Sequence, residues 1–135
     1  MTMPPNTLFH TFSLYNAIVI LDDDGTRLHW NSTLGFSIDR ESLNWPIVDI
    51  SDMPDILAGA KEARDNLQSS FGIGLTAGWI NCLIDTYGYC DQHGKEIFNP
   101  PITERITNPH PKGTPVASAW DRGCHYGWGD CDASL

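Results

Sequence analysis

Side chains able to do chemistry gather at two places in the chain. The first is Cys90-x-x-His93 together with Cys124, His125 and Cys131 further on. Thiolates and an imidazole at such spacing can build a tetrahedral Cys3His zinc centre, so Cys90, His93, Cys124 and Cys131 are the candidate ligands. A metal there would staple a region with little regular structure. The same cysteines admit two other readings: ordinary reduced thiols, or a disulfide in an oxidising compartment, either Cys124–Cys131 or one that contains Cys90. Cys82 lies on an apolar helical stretch and reads as core. No Ser or Cys sits on a glycine-flanked elbow, and the adjacency of Cys124 and His125 does not point two side chains at each other, so no nucleophile is marked. Gly72-x-Gly74 runs into Leu75 with no Lys-Ser/Thr, which leaves no phosphate loop for a nucleotide.

The second place is Asp22-Asp23-Asp24-Gly25-Thr26, which follows the apolar run Ala17-Ile18-Val19-Ile20-Leu21. Beyond it Leu28, Trp30 and Leu34 alternate with Arg27, His29 and Asn31. Alternation of period two marks a half-buried strand, and Asp-Gly between two such runs marks a turn. The pattern predicts a β-hairpin over 17–34 with His29 on its solvent side. The segment also resembles the opening motif of haloacid-dehalogenase-like phosphatases. That likeness implies a magnesium-dependent phosphatase with Asp22 as nucleophile and Asp24 as acid/base. It further implies Thr76 in a second motif, Lys112 as the phosphate-binding lysine and Asp130, in Gly129-Asp130-Cys131-Asp132, in the metal-binding motif. A carboxylate attacking phosphorus does need a cation to offset charge and a second acid to protonate the leaving group.

Residues 17–31 are similar, too, to the first two strands of PAS sensor domains, with Gly35-Phe36-Ser37 and Glu41-Ser42-Leu43 standing for the next turn and helix. This likeness implies a small-ligand sensor with an apolar pocket between sheet and helices. Leu14-Tyr15 followed by residues 17–28 resembles the hairpin that opens the longin-like small subunits of vesicle coats. Turn chemistry accounts for one segment resembling three unrelated families, because any strand-turn-strand unit favours Asp and Gly at its bend.

Further elements must position these groups. Trp45-Pro46 breaks helix, and Ile47-Val48-Asp49-Ile50 reads as a short strand. Ser51 or Asp52 can cap a helix with Pro54 in its first turn, and Ile56, Ala60, Ala63 and Leu67 recur at helical spacing, which predicts a helix over about 53–69. Gly72 and Gly74 interrupt it. A second, more apolar helix follows over about 76–87, carrying Ile80, Leu83, Ile84 and Tyr87 and stopped by Gly88. A small hairpin is expected around Asp91-Gln92-His93-Gly94. Five of the nine prolines fall between Pro100 and Pro115, which enforces an extended arm. From Val116 onward no periodicity is sustained, so the C-terminal third is read as irregular and aromatic-rich. The Gly-Trp dipeptides at 78–79 and 127–128 are too short to count as a repeat. The fold class is α+β: one small domain with an antiparallel sheet opened by the 17–34 hairpin and two helices. Residues 1–98 form its core, and 99–135 form an arm and tail packed on it.

Composition narrows the functional classes. The chain has 135 residues, with seventeen acidic side chains against eight basic ones and a formal charge of −9, a length that suits one domain. The basic residues are scattered, so neither a phosphate backbone nor an anionic membrane surface has a patch to bind. Thirteen of the acids are Asp and four are Glu, which assigns much of the charge to turns and caps. No apolar run approaches the roughly 18–20 residues that span a bilayer. Met1 to Asn16 lacks a signal-type core, and a cytoplasmic protein is expected. The favoured function is a non-enzymatic binding protein that meets a basic protein partner, such as a nucleic-acid-processing enzyme it inhibits. Trp30, Trp45, Trp120, Tyr126 and Trp128 are the candidate anchors, since aromatic residues dominate interface hot spots. The magnesium-dependent phosphatase and the PAS-like sensor are the alternatives.

Overall fold

In the computed structural model, which describes residues 16–38 and 44–135, the expected hairpin forms from β1 (Asn16–Ile20) and β2 (Arg27–Asn31). Antiparallel register sets Ala17 opposite Trp30 and Val19 opposite Leu28. All four lie on one face and are buried, as the period of two requires. Leu28 leads on through Trp30 to β3 (Gly35–Ser37), which pairs antiparallel with β2, while β4 (Ile47–Val48) pairs parallel with β1 in the order β3-β2-β1-β4. Gly35-Phe36-Ser37 is thus a strand rather than the turn that the PAS likeness implies, and Glu41-Ser42-Leu43 lies outside the described residues. His29, expected on the solvent side, is buried beneath the edge of the Trp45 ring, 5.7 Å between centroids.

The two helices read on either side of Gly72 and Gly74 are one, α1 (Pro54–Tyr87), of 34 residues and about 51 Å long. It starts at Pro54 with no side-chain cap on Met53, and Asp49 instead accepts from the amide and hydroxyl of Ser51 just before it. It ends where expected, with Gly88 at φ 87° donating to the Ile84 carbonyl. The buried stripe Ile56, Ala60, Leu67, Ser70, Gly74, Ala77, Asn81, Ile84 continues unbroken through the glycines. Its N-terminal half covers the inner face of the four-stranded sheet, with Ile56, Ala60 and Leu67 against Val19, Leu21 and Trp30. The C-terminal half carries a second sheet, β5 (Cys90–His93) and β6 (Glu96–Ile102), whose turn falls at Gly94-Lys95, and Ile80 and Ile84 pack against Phe98 and Ile102.

The C-terminal third is not irregular. Residues 115–134 form α2 (Pro115–Ser134), with Pro115 in the first turn and the Thr114 hydroxyl accepting from the Ala117 amide. Such a Thr-Pro step is a helix start. Periodicity is weak because the face toward α1 is made of glycine. A Cβ placed on Gly123 would lie 2.0 Å from the Phe71 carbonyl oxygen, and one on Gly127 2.0 Å from that of Leu75. Reciprocally, Gly74 and Gly78 leave room for only 2.1 and 2.0 Å to the carbonyl oxygens of Trp120 and Cys124. In every case the obstructing carbonyl belongs to the residue three before the facing glycine. The helices therefore run parallel, backbone against backbone, related by a local two-fold axis. Among the described residues no helix is long and apolar enough to cross a membrane.

Candidate functional site

Parallel helices joined in one chain need a return path, and residues 103–114 supply it as an extended arm along α1. Asn81, 1% exposed, holds it like a strand partner: its side-chain oxygen accepts from the Ile106 amide at 2.7 Å and its amide donates to the Ile106 carbonyl at 2.9 Å. Further along, Ser70 donates to the Val116 carbonyl and contacts His110, and Asn108 donates to the Ala117 carbonyl and to Asp121. Arm, α1 and α2 together enclose an open cleft of about 680 Å³ lined by Asp85, Arg105, Asp121, Cys124, Tyr126, Trp128 and Asp130, among others.

Asp85 is the hub of this cleft. It pairs with the Arg105 guanidinium and accepts from the Trp128 indole N–H at 2.9 Å. These two donors, Arg105 first, hold its carboxyl below the ordinary value. Burial pushes the Cys124 thiol up, despite a hydrogen bond with Asn81 and the nearby Arg105 charge. Cys124 is thus a neutral thiol near pH 7 and a poor nucleophile. Tyr126 is 46% exposed, with the Arg122 guanidinium 5.6 Å from its ring centroid.

Of the five aromatic anchors expected from the sequence, Tyr126 and Trp128 share this cleft. Trp30 and Trp120 are corrected to core, at 2% and 4% exposure, because the first faces α1 from the sheet and the second faces α1 from α2. Trp45 is half-buried against His29, away from the cleft. Of the four candidate zinc ligands only Cys90 and Cys131 come near each other, both buried, with Cys82 beside Cys131, while His93 meets the edge of Trp79 and Cys124 faces Asn81. Among the described residues no three or more His, Cys, Asp or Glu side chains are grouped to hold a metal ion.

The phosphatase arrangement is likewise not assembled. Asp22 and Asp24 occupy the turn of an antiparallel hairpin, closed by the Leu21 amide on the Thr26 carbonyl and the Gly25 amide on the Leu21 carbonyl. They are engaged there as a clamp on α1. Lys61 pairs with Asp22 at 2.9 Å, and Arg64 takes both oxygens of Asp23 at 2.7 and 2.8 Å and Asp24 at 3.1 Å. Lys112 lines a separate hollow beside Asn108 and His110, and Asp130 lies on α2 in the cleft. The turn thus bends the chain and fastens the sheet to the helix.

A longer repeat surrounds the two Gly-Trp dipeptides. Gly74-x3-Gly78-Trp79-x2-Cys82 recurs as Gly123-x3-Gly127-Trp128-x2-Cys131 at an offset of 49 residues, each copy preceded by an aromatic residue, Phe71 or Trp120. The dipeptide Gly-Trp alone conceals this; the spaced pattern of glycines and cysteine reveals it. Comparisons with protein-family models, with characterised proteins and with solved structures find no match for this chain.

Proposed function

We propose that the protein is a non-enzymatic binding module whose contact surface is the cleft between α2 and the arm, and that it takes a basic segment of a protein partner. The observation that carries this reading is the placing of Tyr126 and Trp128 beside three carboxylates, Asp85, Asp121 and Asp130, in one open cleft, with Arg105 paired to Asp85 and Arg122 over the Tyr126 ring. An incoming Lys or Arg side chain gains aromatic faces for its cation and carboxylates for its hydrogen bonds. The net charge of −9 adds long-range attraction that speeds encounter with a basic surface. An enzyme that handles nucleic acid presents such a surface, and occupying it would inhibit that enzyme.

The test uses a fluorescein-labelled decapeptide of alternating Lys and Arg, titrated with the full chain at 50 and 300 mM salt. Expected are saturable binding that weakens with salt and a loss of about tenfold or more in Tyr126→Ala and in Asp130→Asn, since tenfold corresponds to about 1.4 kcal/mol for one interface contact. Binding unchanged in both variants, or no binding at low salt, overturns the reading.

A further inference from the structure

The repeated motif ends in a cysteine in each copy, and the local two-fold axis brings the two cysteines face to face. The register that opposes Gly74 to Gly123 and Gly78 to Gly127 opposes Cys82 to Cys131 one helical turn further on. Both are fully buried, at 0% exposure, and Cys82 is the side chain that acts most strongly on the Cys131 thiol, with Cys90 also near it. A disulfide needs Cα atoms about 4.4–6.8 Å apart, a distance that facing positions just beyond a backbone-to-backbone crossing are placed to meet. The other cysteines have other engagements: the Cys90 thiol, though near Cys131, donates to the Gln92 carbonyl at 3.4 Å within its own hairpin, and Cys124 on α2 faces Asn81 on α1.

We propose that Cys82 and Cys131 are a redox pair that closes an interhelical disulfide and latches α1 to α2. The pairing differs from both that the sequence suggested, because the partner of Cys131 is the cysteine read as plain core. With oxidised glutathione, a low-molecular-weight disulfide, as oxidant, one protein thiolate attacks its S–S bond and releases one reduced glutathione. The second protein thiolate then attacks the mixed disulfide, the Cys82–Cys131 bond forms and a second reduced glutathione leaves. Two protein thiols are thereby oxidised and one glutathione disulfide is reduced, with the two thiol protons passing to the departing thiolates.

Burial, with the neighbouring Cys82 thiol next, pushes Cys131 up to about 12. Cys131 therefore holds its proton, and the buried pair exchanges only through local opening, so the latch closes slowly and, once closed, is shielded from reductants. The ring it closes contains β5, β6 and the arm. It also fixes Asp85 on one helix relative to Trp128 on the other.

The experiment equilibrates the full chain in glutathione mixtures from fully reduced to fully oxidised, followed by acid quenching, alkylation and peptide mapping, with urea unfolding of each end state. Expected are the loss of two alkylatable thiols and a cross-linked peptide pair containing Cys82 and Cys131. The same pair should form in Cys90→Ser and Cys124→Ser, with a higher urea midpoint for the oxidised protein. Four alkylatable thiols persisting in fully oxidised buffer, or Cys131 found joined to Cys90 or Cys124, overturns the proposal. The wild-type mapping decides the question even where a serine variant fails to fold.

Discussion

Replacing Gly78 by alanine puts a methyl carbon 2.0 Å from the Cys124 carbonyl oxygen and 2.8 Å from both its carbon and the Trp128 amide nitrogen. All three are main-chain atoms of a helix, so no change of rotamer relieves the clash. The helices must part by more than about 1 Å, and a gap of that order forfeits roughly a quarter to a half of each dispersion contact along the seam. Overpacking against side chains that can yield costs about 1–3 kcal/mol, and a rigid backbone wall puts this site at the top of that range or above. Helix propensity works the other way, favouring alanine by about 1 kcal/mol. The net expectation is a loss of about 2–3 kcal/mol, a large part of the roughly 5–15 kcal/mol that holds a domain folded.

Gly72 and Gly129 supply the control, because both are helical and a Cβ on either meets nothing within 4 Å. There the propensity term stands alone, and alanine should stabilise by up to about 1 kcal/mol. Urea unfolding followed by circular dichroism and by tryptophan fluorescence reads both, with an unchanged m value required for the comparison. Gly78→Ala and Gly127→Ala together should cost less than their sum, since helices already parted by one methyl admit the second. A Gly78→Ala protein as stable as wild type, or a Gly72→Ala protein as damaged as Gly78→Ala, would refute the backbone-to-backbone seam.

Asn81→Leu removes both hydrogen bonds to the Ile106 peptide and leaves its half-buried N–H and C=O without them, at a cost of about 1–3 kcal/mol by urea unfolding; proteolytic cleavage within residues 104–112 should rise in parallel. Arg64→Met keeps the apolar stem but abandons Asp23, Asp24 and Asp65, so the melting temperature should fall and hydrogen exchange of the β1–β2 turn should quicken, with the other sheet unaffected. Asp22, Asp24 and Asp85 sit below the ordinary 3.8, held there first by the Lys61 hydrogen bond, the Thr26 hydrogen bond and Arg105 respectively. Their contribution is complete above that ordinary value and is lost as pH falls through the lower folded-state values, so the urea midpoint should drop below about pH 4, and less steeply in Asp85→Asn.

The sequence was legible where the side chain alone decides the outcome. Alternation of Leu28 and Trp30 with Arg27 and His29 marks the hairpin, and Gly88 marks the end of α1, because burial on one face and a left-handed φ are local demands. It was misleading at Gly72 and Gly74. Glycine is a poor helix former in isolation, so two in three residues read as a break, yet only a residue without a Cβ lets α2 touch the backbone at Gly74. The same substitution of glycine for a hydrophobic stripe hides α2, whose contact face carries Gly123 and Gly127 where periodicity looks for Leu or Ile. Thr114-Pro115 carries the local signal of its start, but among so many prolines Pro115 reads as part of the extended arm. The cleft was half legible: Tyr126 and Trp128 were found by type, whereas Asp85 and Arg105, 20 residues apart, meet only because the arm turns back.

That return explains why the proline-rich segment exists. Antiparallel helices can be joined by a short loop, but a parallel pair obliges the chain to travel back along α1 before α2 can begin. Arg105 meets Asp85, Ile106 meets Asn81 and His110 meets Ser70, so a few arm residues retrace several turns of helix. Only extended backbone covers that distance, at about 3.3 Å per residue against 1.5 Å in a helix, and Pro109 and Pro111 hold it extended while removing amides that have no helix of their own to bond. Lacking a sheet to satisfy it, the arm takes its hydrogen bonds from Asn81, Ser70 and Asn108. The glycine seam thus dictates the parallel pairing, and the pairing dictates the arm. The arm in turn brings Arg105 to Asp85, setting the charge and shape of the cleft that Tyr126 and Trp128 line.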